Sequence, residues 1–466
     1  MARSRSVYAC TECGAQAPRW LGRCPSCGSW STLVEEPVGG GAPAEDLLES
    51  ARSGGAAVRL AEVRGEEAPR FASGIAELDR VLGGGLVPGA VLLLAGEPGV
   101  GKSTLALQLA AEVRGTGRSV LYVCGEESPE QVRLRAERLP GDPGDVLVLA
   151  ETRVEAIGAA WREAKPSLVV IDSVQTVRTE RVESAPGSVA QVRECAALLS
   201  AAAKSSGAVL VLVGHVTKEG AIAGPRVLEH LVDVVLTFEG DRTHAVRTLR
   251  AAKNRFGSTQ EVGVFSMTGS GLDGVDNPSE LFLAERRPGV PGSCIVPLLE
   301  GTRPMLLEVQ ALVAPAGYGT ARRTCLGIDD GRVALLLAVL DRRAGIDLLS
   351  CDVYVNVTGG VRVAEPGADL GVALAIASSR LDLPLPDDAA ACGEIGLGGE
   401  VRRVSRLDLR VREAARLGFG RVLLPERVST NLDAPEGSEL VPVADVSRAV
   451  AWLRAESPGR RPEKGR

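Results

Sequence analysis

The segment Gly96-Glu97-Pro98-Gly99-Val100-Gly101-Lys102-Ser103 constrains the 466-residue chain more than any other feature, because it matches G-x-x-x-x-G-K-[ST] without a mismatch. An apolar run at 91–95 precedes it, and an amphipathic stretch at 103–114 follows. Strand, glycine-rich turn and helix in that order make a phosphate cradle, in which backbone N–H groups and the helix N-terminus face the anion. Lys102 then reaches the β- and γ-phosphates, and Ser103, with Thr104 beside it, ligates Mg2+. ATP and Mg2+ are the expected ligands, and a parallel α/β sheet is the expected support.

The rest of the chain agrees with such a sheet. Across 71–280, β-branched runs (91–95, 119–124, 145–149, 168–171, 209–213) alternate with helical stretches (103–114, 129–139, 154–164, 189–204). Strand-rich sequence follows at 234–238, 245–250 and 261–267. A further α/β region at 285–455 has strands at 352–357 and 421–424 and helices at 333–343, 370–379 and 407–417. Residues 34–70, rich in Gly, Ala and Glu, read as a flexible linker, and 456–466 as a disordered tail.

Two acids complete a hydrolytic site. The run 168–171 ends in Asp172, placed to hold Mg2+ through water with Ser173 alongside; the ordinary alternative is a carboxylate capping a strand end. A base must also orient the attacking water. Glu126 is the preferred candidate and Glu127 the next, since both follow the strand expected beside that of Asp172; a solvated acid pair is the plain alternative.

Ten cysteines divide unevenly, with Cys10-x2-Cys13 and Cys24-x2-Cys27 clustered at the front and six scattered. Paired x2 spacing lets two thiolates reach one ion, and two such pairs close a tetrahedral S4 shell, so residues 1–33 read as a structural Zn2+ ribbon. Iron, two disulfides or idle thiols are the alternatives. The scattered remainder argues against a secreted disulfide framework and for a reducing cytoplasmic setting. No apolar run approaches the roughly 20 residues a membrane span needs. The basic N-terminus lacks the apolar segment of a secretory signal. With 53 Lys plus Arg against 59 Asp plus Glu, the formal charge is −6, which excludes a wholly basic nucleic-acid coat but not a local basic surface. Aromatics are only 3%, against a protein that binds single strands mainly by stacking.

Residues 72–85 before the P-loop resemble the entry to a RecA-type ATPase core, and Lys253-Asn254-Arg255-Phe256-Gly257 is similar to the KNRFG signature of the bacterial RadA (Sms) family. With the front cysteines and the third region, this resemblance covers nearly the whole chain. It implies a DNA-repair ATPase that forms a homo-oligomeric, hexameric ring on single-stranded and branched DNA. It further implies translocation and branch migration beside the RecA recombinase. A filament-forming strand-exchange recombinase, or a nucleotide-switched scaffold that loads other repair proteins, is the alternative. Lys253 and Arg255, two residues apart after the strand at 245–250, fall on one face of an extended chain. There they can act as trans fingers toward a neighbour's γ-phosphate or touch a DNA phosphate; a solvated basic turn is the plain reading. His215 resembles a γ-phosphate sensor, and Arg178, Arg181, Lys218 and Arg226 are candidates for DNA-contacting loops.

The third region resembles the Lon protease fold, an α+β domain. Asp369, in Glu365-Pro-Gly-Ala-Asp-Leu-Gly371, falls where the nucleophilic serine belongs, and Asp408 occupies the lysine position. Ser405 is near but has no matching lysine, so the Ser–Lys dyad is absent and proteolysis is not expected. A ring-assembly platform is.

Overall fold

A computed structural model describes residues 6–10, 16–25, 28, 30, 32–37, 70–141, 143–215, 228–240, 246–317, 321–429, 432 and 434–457. Cys13, Cys27, Lys218, Arg226, most of the expected linker and the tail from 458 lie outside them. The chain divides into two compact units, Met1–Val275 and Asp276–Arg466. No described helix is long and apolar enough to cross a membrane.

At the front of the first unit, β1 (Ser6–Cys10) pairs antiparallel with β2 (Gln16–Ala17) and β3 (Leu33–Pro37), which sets Cys10 opposite Leu33. Buried Cys10, Ala17, Cys24 and Leu33 form its small core.

Beyond residue 70 the elements run α1 (Ala76–Leu82), β4 (Val91–Gly96), α2 (Lys102–Gly115), β5 (Val120–Cys124), α3 (Pro129–Ala136), β6 (Leu147–Ala150), α4 (Val154–Ala164), β7 (Leu168–Asp172), α5 (Val189–Ser206) and β8 (Val209–His215). β9 (Val234–Glu239), β10 (Val246–Asn254), β11 (Val262–Thr268) and β12 (Gly271–Gly274) complete a nine-stranded sheet of order β12-β11-β10-β9-β4-β8-β7-β5-β6. The stretch from β9 to β6 is parallel; β10 to β12 add antiparallel strands. All six residues of β4 are buried, as a central parallel strand covered on both faces requires. Leu92 and Leu94 pack into an apolar cluster with α2, while Val91, Leu93 and Ala95 pack into another with α4 and α5. The edge strand β6, largely exposed, starts two residues later than its sequence pattern predicts, at Leu147 rather than 145.

The second unit begins earlier than the expected boundary at 280. Helix α6 (Pro278–Leu283) belongs to it because Ser279 Oγ accepts from Leu306 N at 3.0 Å and bonds the Glu413 carboxylate at 2.8 Å. β13 (Ser293–Glu300), β14 (Arg303–Pro315), β15 (Arg323–Leu326), β16 (Cys351–Val357), β17 (Ala389–Ala391), β20 (Arg421–Pro425) and β21 (Glu439–Val443) form a mixed sheet, ordered β15-β16-β14-β13-β17-β20-β21. A small hairpin, β18 (Glu394–Ile395) with β19 (Val401–Arg402), stands apart from it. Helices α7 (Asp330–Ala344), α8 (Asp369–Leu381), α9 (Leu407–Arg416), α10 (Glu426–Ser429) and α11 (Val446–Glu456) complete the unit. Residues 369 to 378 of α8 are all buried, so this helix is apolar around its circumference rather than striped.

Candidate nucleotide site

Four adjacent parallel strands, β4, β8, β7 and β5, end at one edge of the sheet, and each delivers a polar group there. In-register pairing sets Gly96 beside His215, Asp172 beside Val213, and Cys124 beside Asp172. This is the crevice at the carboxyl ends of parallel strands where α/β sheets bind ligands.

Gly96 to Gly101 make the turn out of β4, and Lys102, Ser103 and Thr104 form the first turn of α2. Glu97, Pro98 and Gly99 are exposed, whereas Val100 is buried under the loop. Gly101 adopts φ +114°, and a side chain there would meet Met267 Cε at 2.6 Å, so only glycine fits. Lys102 Nζ donates to the carbonyls of Gly96 and Glu97, both at 2.9 Å. Burial lowers its pKa from 10.5 to about 8, opposed by the Asp172 and Glu126 carboxylates.

Asp172 ends β7, and its Oδ2 accepts a 2.6 Å hydrogen bond from the Tyr122 hydroxyl on β5. Tyr122 is 1% exposed, and burial, reinforced by the Asp172 charge, raises its pKa well above the ordinary value, so the phenol stays protonated as donor. The peptide joining Asp172 to Ser173 is cis. Ser173 Oγ donates to Glu126 Oε1 at 2.5 Å, and His215 Nε2 lies 3.5 Å from the same oxygen. His215 Nδ1 is buried without a hydrogen-bond partner among the described residues. Glu127 is turned aside into an ion pair with Arg135. The two adjacent acids thus sit in different surroundings, Glu126 against Ser173 and His215 and Glu127 against Arg135.

Three supports carry no sequence motif. Tyr122 is the aromatic residue in an otherwise aliphatic strand, which is its only signal. Gly125 donates its N–H to Asp172 O at 2.8 Å, and a Cβ there would fall 1.9 Å from Thr176 Oγ1. Arg247, buried on β10, reaches across the sheet to donate to Val100 O at 3.2 Å.

The Lys253–Gly257 segment departs from expectation. β10 continues through Asn254, with a register shift between Ala251 and Lys253, rather than ending near 250. Lys253 Nζ is engaged by the carbonyls of Glu229 at 2.6 Å and Val232 at 2.7 Å, so it does not share an open face with Arg255. Burial, then the Arg255 charge, lowers its pKa. Asn254 donates to Val81 and Leu82 carbonyls and accepts from Phe256 N, while Gly257 sits against Leu82 O. Arg255 pairs with Asp233 at 3.1 Å but keeps a side chain 54% exposed. Asn254 pairs with Val234, which lies beside Leu92 of β4. From Leu92 to Gly96, at about 3.3 Å per residue, is roughly 13 Å, so the segment lies at the opposite edge of the sheet from its own P-loop.

Arg178 and Arg181 are exposed after β7. In the ribbon, Cys10 and Cys24 are buried together, and Cys10 Sγ donates to Thr32 Oγ1 at 3.1 Å. Buried paired thiols in so small a core suit a thiolate-bound ion.

In the second unit, Asp369 opens α8 at 1% exposure. Arg332 grips both its oxygens, Nε at 2.8 Å, and Ile395 N donates at 3.0 Å. Burial raises its pKa against these partners. Asp408 lies in the first turn of α9, half-buried. Arg410, two residues on, is fully buried and pairs with Glu365. Both expected dyad positions thus hold acids, flanked by arginine–carboxylate pairs.

The chain is similar to known proteins over nearly its whole length. The AAA domain family matches residues 58–221, and the rubredoxin metal binding domain family matches residues 8–35. The DNA repair protein RadA of Bacillus subtilis is 49% identical over 456 residues, covering 97% of this chain and 99% of its own. That of Pseudomonas aeruginosa is 49% identical over 458 residues, covering 97% and 100%. That of Brucella abortus is 47% identical over 468 residues, covering 99% and 100%.

Proposed function

The chain belongs to the family of the DNA repair protein RadA, and on that footing we propose that it is a DNA-dependent ATPase that encircles single-stranded DNA as a hexameric ring and drives branch migration beside a RecA recombinase. The observation that carries this reading is the convergence of Lys102, His215, Asp172 and Glu126 at the ends of four neighbouring strands. The P-loop N–H groups and Lys102 bind the triphosphate. Ser103, and Asp172 through water, hold Mg2+, which when bound neutralises charge developing on the phosphoryl oxygens. Tyr122 fixes the Asp172 carboxylate in rotation. Glu126 orients the attacking water once it leaves the Ser173 hydroxyl, and His215 senses that movement from the strand edge beside Gly96.

Arg255 faces away from its own nucleotide and has an exposed guanidinium, so it acts on a neighbouring subunit's γ-phosphate or on DNA. Lys253 positions the segment rather than serving as a finger. Arg178 and Arg181 contact DNA phosphates. The second unit is a platform without protease activity: Asp369 and Asp408 supply no Ser–Lys pair. Cys10, Cys13, Cys24 and Cys27 hold one structural Zn2+.

Phosphate release with and without single-stranded DNA tests the reading. Stimulation by DNA, absent in Lys102→Ala, is expected. DNA-independent turnover, or normal turnover in Lys102→Ala, overturns it.

A further inference from the structure

The ribbon carries an exposed aromatic pair for which the nucleotide site has no use. Trp20 is 57% exposed and Trp30 72% exposed, in a chain with only four tryptophans. Both indoles converge on Gly22: Trp20 Cη2 and Trp30 Cζ3 each lie within 4 Å of the point where a side chain at Gly22 would begin. The edges of the two indoles thus meet over the Gly22 backbone. Arg23 pairs with Trp30 in an antiparallel bridge, and its guanidinium lies 6.0 Å from the Trp30 ring centroid. Its Nε donates to Gly28 O at 2.8 Å, which ties the cation to the turn after Cys24. Arg19 is exposed next to Trp20. In sequence, residues 1–33 contain four basic residues, Arg3, Arg5, Arg19 and Arg23, and one acidic residue, Glu12.

Two solvent-exposed indoles meeting over Gly22, rimmed by cations on a locally basic ribbon, match the chemistry of an unpaired nucleobase with its phosphate. Aromatic faces stack on any base, and arginines neutralise the backbone beside it. We propose that Trp20 and Trp30 form a base-stacking platform for single-stranded DNA on the ribbon. The proposal rests on the DNA-dependent reading above and extends it to a site outside the ATPase sheet.

The test uses the full chain, a fluorescein-labelled oligothymidylate and an abasic oligonucleotide of equal length, at one fixed salt concentration. Trp20→Ala and Trp30→Ala are each expected to weaken oligothymidylate binding roughly 5- to 100-fold. Trp20→Phe and Trp30→Phe are expected to retain most of the affinity, which separates stacking from loss of the ribbon fold. On the abasic oligonucleotide, wild type and the alanine variants are expected to bind alike. Wild-type affinity for oligothymidylate in the alanine variants overturns the platform alone, and directs the indoles toward a protein partner. Equal losses on the abasic strand also overturn it. Failure of the wild-type chain to bind either oligonucleotide overturns the DNA-dependent reading together with the platform.

Discussion

Replacing Arg410 with methionine removes a guanidinium with 0% exposure while keeping most of the side-chain length. Arg410 Nη1 donates to Pro297 O at 2.9 Å, its Nε to Ser405 O at 2.9 Å, and its fork grips the Glu365 carboxylate. Breaking a buried pair from one side costs about 3–5 kcal/mol, because the remaining charge is left uncompensated. Two features place the cost at the low end, near 3 kcal/mol. The Glu365 side chain is 25% exposed and can rehydrate, and it keeps the Leu299 N–H at 3.0 Å. For a unit of this size each kcal/mol lowers the midpoint by about 2–4 °C, so the thermal transition of the second unit falls by roughly 6–12 °C. Differential scanning calorimetry of the full chain reads that shift. Arg410→Met combined with Glu365→Gln removes both charges while keeping an acceptor for Leu299, and is expected to recover about half of the loss. A shift under about 2 °C, or a double variant no better than the sum of the singles, refutes the reasoning. The pair joins the segment before Asp369 to the helix bearing Asp408, so the variant also measures how firmly these two elements are fixed to each other.

Three further outcomes follow from the nucleotide site and the ribbon. Tyr122→Phe keeps the buried ring but removes the donor to Asp172, and a hydrogen bond to a charged group contributes about 1.5–3 kcal/mol. The Mg2+ concentration for half-maximal binding of a fluorescent ATP analogue is therefore expected to rise about 10-fold or more, and an unchanged value contradicts the positioning role. Lys102, its pKa lowered to about 8 by burial, binds fewer protons in the folded chain than in the unfolded one between about 8 and 10.5. Its contribution to stability consequently rises with pH across that window. Anionic phosphates favour the charged form, so ATP binding near pH 9 is expected to take up a proton, read calorimetrically in buffers of different ionisation heat; zero uptake contradicts this. Metal analysis of the purified protein is expected to give one Zn2+ per chain, with chelation unfolding the ribbon, whose described core is only Cys10, Ala17, Cys24 and Leu33. Metal-free protein with an intact ribbon contradicts it.

The central strands were readable because burial on both faces forces long aliphatic runs, and the P-loop because each glycine and the lysine answers a local demand of the turn. Asp172 was readable for the same reason, as the acid ending such a run. What the sequence conceals rests on pairings between distant strands. Tyr122 meets Asp172 only because β5 and β7 are neighbours in register, and Arg247 meets Val100 only because β10 folds back beside β9. Glu126 and Glu127 are distinguished by their partners: Ser173, on a distant strand end, for Glu126 and Arg135, on the following helix, for Glu127. Spacing shows that Lys253 and Arg255 can share a face, but not that two carbonyls before β9 engage the Lys253 ammonium. The ribbon tryptophans show a similar limit: a low overall aromatic content conceals two indoles meeting at one glycine.

The most direct measurement is displacement of a labelled strand from a synthetic three-strand branched DNA, with ATP, by wild type, Lys102→Ala and Arg255→Ala. Branch movement by wild type is expected, with none in Lys102→Ala. Arg255→Ala is expected to retain ATP binding but lose movement, and to regain some when mixed with Lys102→Ala subunits, since each variant then supplies what its neighbour lacks. ATP hydrolysis by wild type without any branch movement contradicts the motor and leaves a nucleotide-switched scaffold in its place.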